Sequence, residues 1–302
     1  MPDTTLDHRA LEAYLPHRGI NLLPDTVILH EGGKIATSVT TVPADDVRQR
    51  TMLGRSGGFW YEPFLGELMA LTGVPLLHER LQAEGAVAVF SMISKLVFHR
   101  LAPLGSTVIG RAEITRDRGT FTQFATTATV DGQPLLEAEV MSGVAPLSEI
   151  IGSSRTQAQA LPAGEAIPIG WLDWKPPHLR FATTIVSADA AAGTLTTGYR
   201  YEPEHPFVPG HFPAGPLMMG VTQWSAVADA GWIAMQRFGL TAATIQGRMT
   251  RPDGSEIVDV RDLELVADAD GIPRLTATKR IAFRDKIVPG DSMLTHVTVI
   301  PK

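Results

Sequence analysis

The 302-residue chain contains no cysteine. Disulfide frameworks, thiolate metal sites and cysteine nucleophiles are thereby excluded. It lacks an excess of positive charge: the formal net charge is −6, which argues against a nucleic-acid-binding protein. No uncharged apolar run approaches the ~18 residues of a membrane span. The opening "MPDTTLDHRALEAYL" has no basic region followed by an apolar core, so no secretory signal is expected. These absences lead us to expect a soluble, cytoplasmic protein. Gly-rich phosphate loops, HExxH and G-x-S-x-G are missing as well, so the motifs for those chemistries are not present.

What is present divides in two. The stretch 147–168, "LSEIIGSSRTQAQALPAGEAIP", is small, polar and Pro/Gly-containing, and reads as a linker. Residues 1–146 and 169–302 then form two domains of ordinary size. In the first, "TVILHEGGKIATSVTTV" reads as two strands around Gly32-Gly33. "EPFLGELMALTGVPLLHERLQ" has Phe64, Leu65, Leu68, Met69 and Leu71 at helical spacing, and Pro63 suits the first turn of one long helix. Four strand-like runs follow, the last two joined at Asp131-Gly132, a hairpin signal. The second domain repeats this order: two strands in "LRFATTIVSADAAAGTLTTGYRY", a helix in "MMGVTQWSAVADAGWIAMQRFG" closed by Gly239, then three further strands in "IVDVRDLELVADADGIPRLTATKRIAF" and "SMLTHVTVI". Paired text ("FHRLAPLGS" and "FRDKIVPGD") points to a weak internal duplication.

One apolar, Pro-rich loop carries two histidines: "HPFVPGHFPAGPLMMGV", from His205 to Val221. It resembles the signature of the hotdog-fold 3-hydroxyacyl-acyl-carrier-protein dehydratases, N/E-x-P-F-x-x-G-H-F-P followed by P-x-M-P-G-V and a helix bearing a carboxylate. "YLPHRGINLLPDTVILHEGGKIATSVTTV" resembles the N-terminal segment of the same family, and "VDGQPLLEAEVMSGV" its last strand. The resemblance covers most of the chain as two fused copies. It implies an α+β double hotdog: two long central helices, each wrapped by an antiparallel sheet, packed as an intramolecular pseudo-dimer.

The departures from the family pattern decide the site. The family's helix carboxylate stands fourteen residues after the loop histidine, a position held here by Ser225. In the first half the ungapped count puts Met52 where the histidine belongs and Gly66 at the acid position, with Glu67 adjacent and Glu62 one turn earlier. The family builds each site from two subunits. A fused pair can therefore lose the Met52/Ser225 site and keep a composite one, His211 with an acid from the first-half helix.

The resemblance implies removal of water from a 3-hydroxyacyl thioester, bound to acyl carrier protein or coenzyme A, in fatty-acid or polyketide-type biosynthesis. His211 would be the general base. The N–H of Gly220, at a helix start, would hold the thioester oxygen. Glu62, Glu67 or Tyr61 would be the proton donor. Trp60, Tyr61, Phe212, Met218, Met219 and Trp224 would line the acyl pocket. No cofactor or metal is implied, nor a nucleic-acid or membrane partner, and a homodimer of double hotdogs stays open. His205 can serve simply to hold the loop, and Asp229 belongs to the lost site or to none. Lys279, Arg280, Arg284 and Lys286, with Lys95, His99 and Arg100, offer either a docking face for an acidic carrier or an ordinary solvated strand face. A non-catalytic acyl-binding protein, or a hotdog thioesterase, isomerase or acyltransferase, is the alternative, since fold does not choose among them.

Overall fold

The computed structural model describes residues 2–44, 58–151 and 159–302. Met52 and part of the linker therefore lie outside the described residues. The chain forms two compact units: Met1–Ser154 with Pro206–Leu217, and Arg155–His205 with Met218–Lys302. Among the described residues no helix is long and apolar enough to cross a membrane.

The first unit opens with strand β1 (Thr4–Asp7), helix α1 (His8–Tyr14) and strands β2 (Thr26–Leu29) and β3 (Ile35–Thr41). Helices α2 (Pro63–Gly73) and α3 (His78–Ala83) follow, then the long strands β4 (Ala86–Phe98), β5 (Thr107–Asp117), β6 (Phe121–Val130) and β7 (Gln133–Pro146). They pair antiparallel in the order β1-β2-β3-β5-β6-β7-β4. The β6–β7 turn has positive φ at both Asp131 and Gly132, the mirror-image geometry that suits tight hairpins.

Helix α2 packs on β5, β3 and β6. Ala70 alone of its eleven residues is not buried. A helix buried all round must give each polar side chain a partner or a task. Thr72 finds one, donating to the Leu68 carbonyl within the helix. Glu67 is the other buried polar residue of the helix. The single long helix expected from the sequence is interrupted: a 3-10 turn, Val74–Leu77, separates α2 from α3. Pro75 explains the break, because it has no N–H to donate and its ring clashes with the preceding turn.

In the second unit a short helix α4 (Leu147–Ile151) of the first unit is followed, past the undescribed residues, by β8 (Glu165–Ala166), which pairs with β9 (Thr184–Asp189). The segment read as a linker thus contains ordered structure at both ends. Strand β10 (Thr194–Arg200) leads to helix α5 (Gly220–Phe238). Strands β11 (Ala242–Thr250), β12 (Glu256–Ala267), β13 (Pro273–Thr278), β14 (Arg280–Phe283) and β15 (Ser292–Pro301) complete the unit. The order is β13-β12-β11-β15-β10-β9-β8, antiparallel throughout, with β14 also on β12.

Helix α5 lies on β15, β11, β12 and β10, and every residue from Val221 to Met235 is buried. Gly239 closes it in the left-handed conformation, where a side chain would be strained. Strand β11 was not anticipated. It follows α5 directly, and its Gly247 lets the strand approach the helix so closely that a Cβ would meet Val227. Each unit is therefore a central helix laid on an antiparallel sheet, which is the hotdog arrangement.

Candidate active site

The loop Pro206–Leu217 comes from the second half of the chain but belongs to the first unit. Backbone chemistry explains why. Arg18 N–H donates to the Gly210 carbonyl at 2.8 Å, and Phe212 N–H donates to the Pro16 carbonyl at 3.0 Å. Between them His17 and His211 form an isolated antiparallel bridge. The buried Asn21 amide donates to the Phe207 carbonyl, and Phe207 meets Phe64 of α2 edge to face. The LPHR and GHF texts are thus two sides of one clamp. Placing the loop with residues 169–302, as its position in the chain suggests, would separate it from all these partners.

Two local features make the clamp possible. A Cβ at Gly210 would collide with the Arg18 carbonyl and the Asn21 amide, so only glycine allows this approach. Phe212 has φ +57°, a conformation that costs a side-chain-bearing residue free energy and that concentrates at functional sites. The strained residue immediately follows the histidine it helps to aim.

His211 is buried, and its Nδ1 lies 2.8 Å from the Leu217 carbonyl. A carbonyl only accepts, so Nδ1 carries the hydrogen and the Nε2 lone pair of the neutral ring is left free. Burial lowers the His211 pKa to about 4, with neighbouring His17 adding to the drop and Glu67 and the Leu217 bond opposing it. At neutral pH His211 is an uncharged base.

Glu67 supplies the complement. Its carboxyl is buried, which raises its pKa, while nearby His211 pulls the other way. A carboxyl whose burial favours the proton, near an imidazole whose burial disfavours it, is a division of labour that suits acid–base catalysis. The third member is His17. Its Nε2 lies 3.5 Å from Glu67 Oε1, and its ring stands 4.9 Å from that of His211. Burial first, then Arg18, lowers the His17 pKa to about 3, so this ring is neutral too. Sequence reasoning quoted His17 within LPHR but gave it no role. The signal was the motif text itself, whose partner lies far away along the chain.

These three donors lie within 4.8 Å of one another, and no other trio of His, Asp or Glu among the described residues does so. Two imidazoles and a carboxylate could accept a divalent ion.

The remaining sequence candidates fall as follows. Glu62 is buried at the residue before α2 but lies outside the trio. Its backbone is already helical, so it is rotated by about 140° around the axis from Glu67, five residues on. Only one of the two can face His211. Tyr61 and Trp60 are buried in the first unit, Tyr61 against Phe64. Met218, Met219 and Trp224 are buried in the second unit. Gly220 is the first residue of α5, and such a residue has no intrahelical acceptor for its N–H.

Ser225, at the family's acid position, donates to the Val221 carbonyl one turn back. Asp229 is fully engaged: Lys175 Nζ meets Oδ1 at 2.5 Å and Phe181 N–H meets Oδ2 at 2.7 Å. Burial raises the Asp229 pKa, and the Lys175 ammonium opposes this. Asp229 is a structural tie between α5 and the segment before β9. His205 donates from Nε2 to the His178 carbonyl and is likewise a loop anchor. Among the basic residues, Lys279, Arg280 and Lys95 each have a carboxylate neighbour, Asp262, Asp259 and Glu137 respectively, which weakens any positive field they make.

No family model matches the chain. It is 30% identical over 146 residues to the 3-hydroxyacyl-(acyl-carrier-protein) dehydratase FabZ of Listeria innocua serovar 6a, covering 48% of this chain and 99% of that protein. To the protein of the same description from Listeria monocytogenes serotype 4b it is 31% identical over 144 residues, covering 47% and 98%. Among solved structures it is similar to the dehydratase heterocomplex ApeI:P from Xenorhabdus doucetiae, with 16% identity, a TM-score of 0.40, and coverage of 47% of this chain and 97% of that one.

Proposed function

Because the chain belongs to the 3-hydroxyacyl-(acyl-carrier-protein) dehydratase family, we propose that it removes water from a 3-hydroxyacyl thioester, with one composite active site per chain and His211 and Glu67 as its base and acid. The observation that carries this reading is the buried cluster of His211, Glu67 and His17, whose donor atoms lie within 4.8 Å of one another. Burial leaves His211 uncharged with a free Nε2, and favours the proton on Glu67 beside it. Glu67 takes the role that the sequence left open among Glu62, Glu67 and Tyr61.

His211 Nε2 removes the C2 proton, and the electron pair moves into the C2–C3 bond. The C3–O bond breaks, and Glu67 gives its proton to the departing hydroxyl, which leaves as water. Charge gathers on the thioester oxygen along the way. The N–H of Gly220 is the proposed donor to that oxygen, because it starts a helix and lacks a side chain. The substrate is carried by acyl carrier protein or coenzyme A, and Trp60, Tyr61, Phe212, Met218, Met219 and Trp224 are proposed to line the acyl pocket. Two hotdog units in one chain would form the intramolecular counterpart of a hotdog dimer, with exposed sheet edges as the motive for pairing.

Incubation of the full chain with 3-hydroxyacyl thioesters of both carriers, followed by mass spectrometry for the enoyl product, tests this reading. His211→Ala and Glu67→Gln should each lower kcat by about 10²–10⁴-fold, as loss of a general acid or base does. Binding without turnover on either carrier would replace the dehydratase with a non-catalytic acyl-binding protein. Full activity in Glu67→Gln combined with loss in Glu62→Gln would move the acid to Glu62.

A further inference from the structure

His17 is buried, yet neither ring nitrogen has a hydrogen-bond partner. Glu67 Oε2 is unpaired as well. A buried polar atom left unpaired is costly, and such costs persist where a ligand is meant to satisfy them. One of these unpaired atoms, His17 Nε2, faces the Glu67 carboxyl.

His17 Nε2 and Glu67 Oε1 stand 3.5 Å apart. That is too far for a good bond, but two atoms at this separation can both reach a single oxygen at ordinary hydrogen-bond length, about 2.8 Å from each. Resting on the dehydratase reading above, we infer that His17 binds the substrate's 3-hydroxyl and, after the step, the water it becomes. The hydroxyl has one hydrogen and two lone pairs. Its hydrogen is donated to His17, which turns a lone pair toward the Glu67 proton. When the C3–O bond breaks, the oxygen keeps its own hydrogen, gains the one from Glu67 and leaves as water. His17 begins and ends neutral.

The position is rigid enough for the task. The main chain on either side of His17 is bound to the GHF loop through Arg18 N–H and the Pro16 carbonyl. The Arg18 guanidinium caps the carbonyls of Leu15 and His17. Because these bonds are made by backbone and by Arg18, removing the His17 side chain leaves the clamp in place.

The test compares two ligands that differ only in the 3-hydroxyl: a 3-hydroxyoctanoyl pantetheine thioester as substrate and the octanoyl thioester as competitive inhibitor. In His17→Ala, kcat/KM for the hydroxy ester should fall at least about tenfold, the loss of one good hydrogen bond to a substrate. The Ki of the saturated ester should stay within about twofold, and His17→Gln, which keeps a donor and an acceptor, should recover part of the loss. A purely structural role would weaken both ligands together, and that result overturns the inference while leaving the dehydratase reading intact. Unchanged kcat/KM in a folded His17→Ala also overturns it. A wild-type chain that turns over no hydroxyacyl thioester defeats the reading and this inference with it.

Discussion

The rings of His17 and His211 meet edge to face, 4.9 Å between centroids, across a bridge that pairs one residue of LPHR with one of GHF. Beyond burial, His17 further lowers the readiness of His211 to take a proton, because two imidazolium ions cannot be held together in a buried space. The site therefore stays neutral far below the usual histidine range. In the free enzyme, kcat/KM should fall on the acid side only as pH approaches about 4, where His211 gains its proton. On the alkaline side it should fall where Glu67 loses its raised proton. A pH profile of kcat/KM with an acid limb near 6.5 would contradict the burial of His211.

The same neutrality makes the fold acid-sensitive. Folded His17 and His211 have pKa values of about 3 and about 4, against an ordinary 6.5. Their contribution to stability is complete above the unfolded value. It is lost as pH falls through the folded ones, since the unfolded chain binds protons that the folded chain refuses. Urea midpoints should drop between pH 6.5 and 4, and His211→Gln should flatten part of that slope.

Glu67 works in the opposite direction. Its raised pKa gives stability below the ordinary carboxylate value of 4.5 and costs stability as pH rises through the folded value. Glu67→Gln removes that cost while keeping the shape. The variant should be more stable than wild type at pH 7.5 by thermal melting, and inactive. A less stable variant would mean that the carboxyl serves the fold and not the reaction.

Gly210→Ala tests the clamp. The added Cβ meets backbone at Arg18, which cannot swing aside as a flexible side chain would. We expect a loss of about 1–3 kcal/mol in urea denaturation, as for overpacking in a core, together with loss of turnover.

Lys175 and Asp229 test the assignment of the second carboxylate. Both side chains are shielded from solvent. Lys175→Met or Asp229→Asn alone should destabilise by about 3–5 kcal/mol, and the double variant by less than the sum. If Asp229→Asn folded normally and only turnover were lost, Asp229 would be reassigned to the chemistry.

The GHF loop, the Asp131-Gly132 hairpin and the helix ending at Gly239 were legible in the sequence, because each is set by residues adjacent in the chain. The choice of Glu67 was not. The count from LPHR to the helix runs through residues outside the described structure, and an ungapped count carries any change in loop length straight into the helix register. His17 was given no role for a related reason: its partners His211 and Phe212 are remote in sequence, and no periodicity announces a one-residue bridge. The break at Pro75 was within reach, since Gly-Val-Pro in mid-helix is itself a stop signal. Strand β11 was missed because "AATIQGRMT" carries little apolar alternation. Its Gly247 serves closeness to a helix, not strand propensity.

The first unit is discontinuous in the chain: His211 arrives on Pro206–Leu217, after β8, β9 and β10 of the second unit have already been laid down. During synthesis, then, the N-terminal 154 residues emerge without the segment that fills the clamp, and Arg18 N–H and the Pro16 carbonyl must wait in water for it. Maturation of the site is thus a late event, dependent on the polypeptide doubling back. Separately expressed pieces cut in the 147–168 stretch should each be inert, and activity should return, if at all, only on mixing them. A gene split there would divide a cooperative unit, whereas the apparent boundary in the text suggests two free-standing ones.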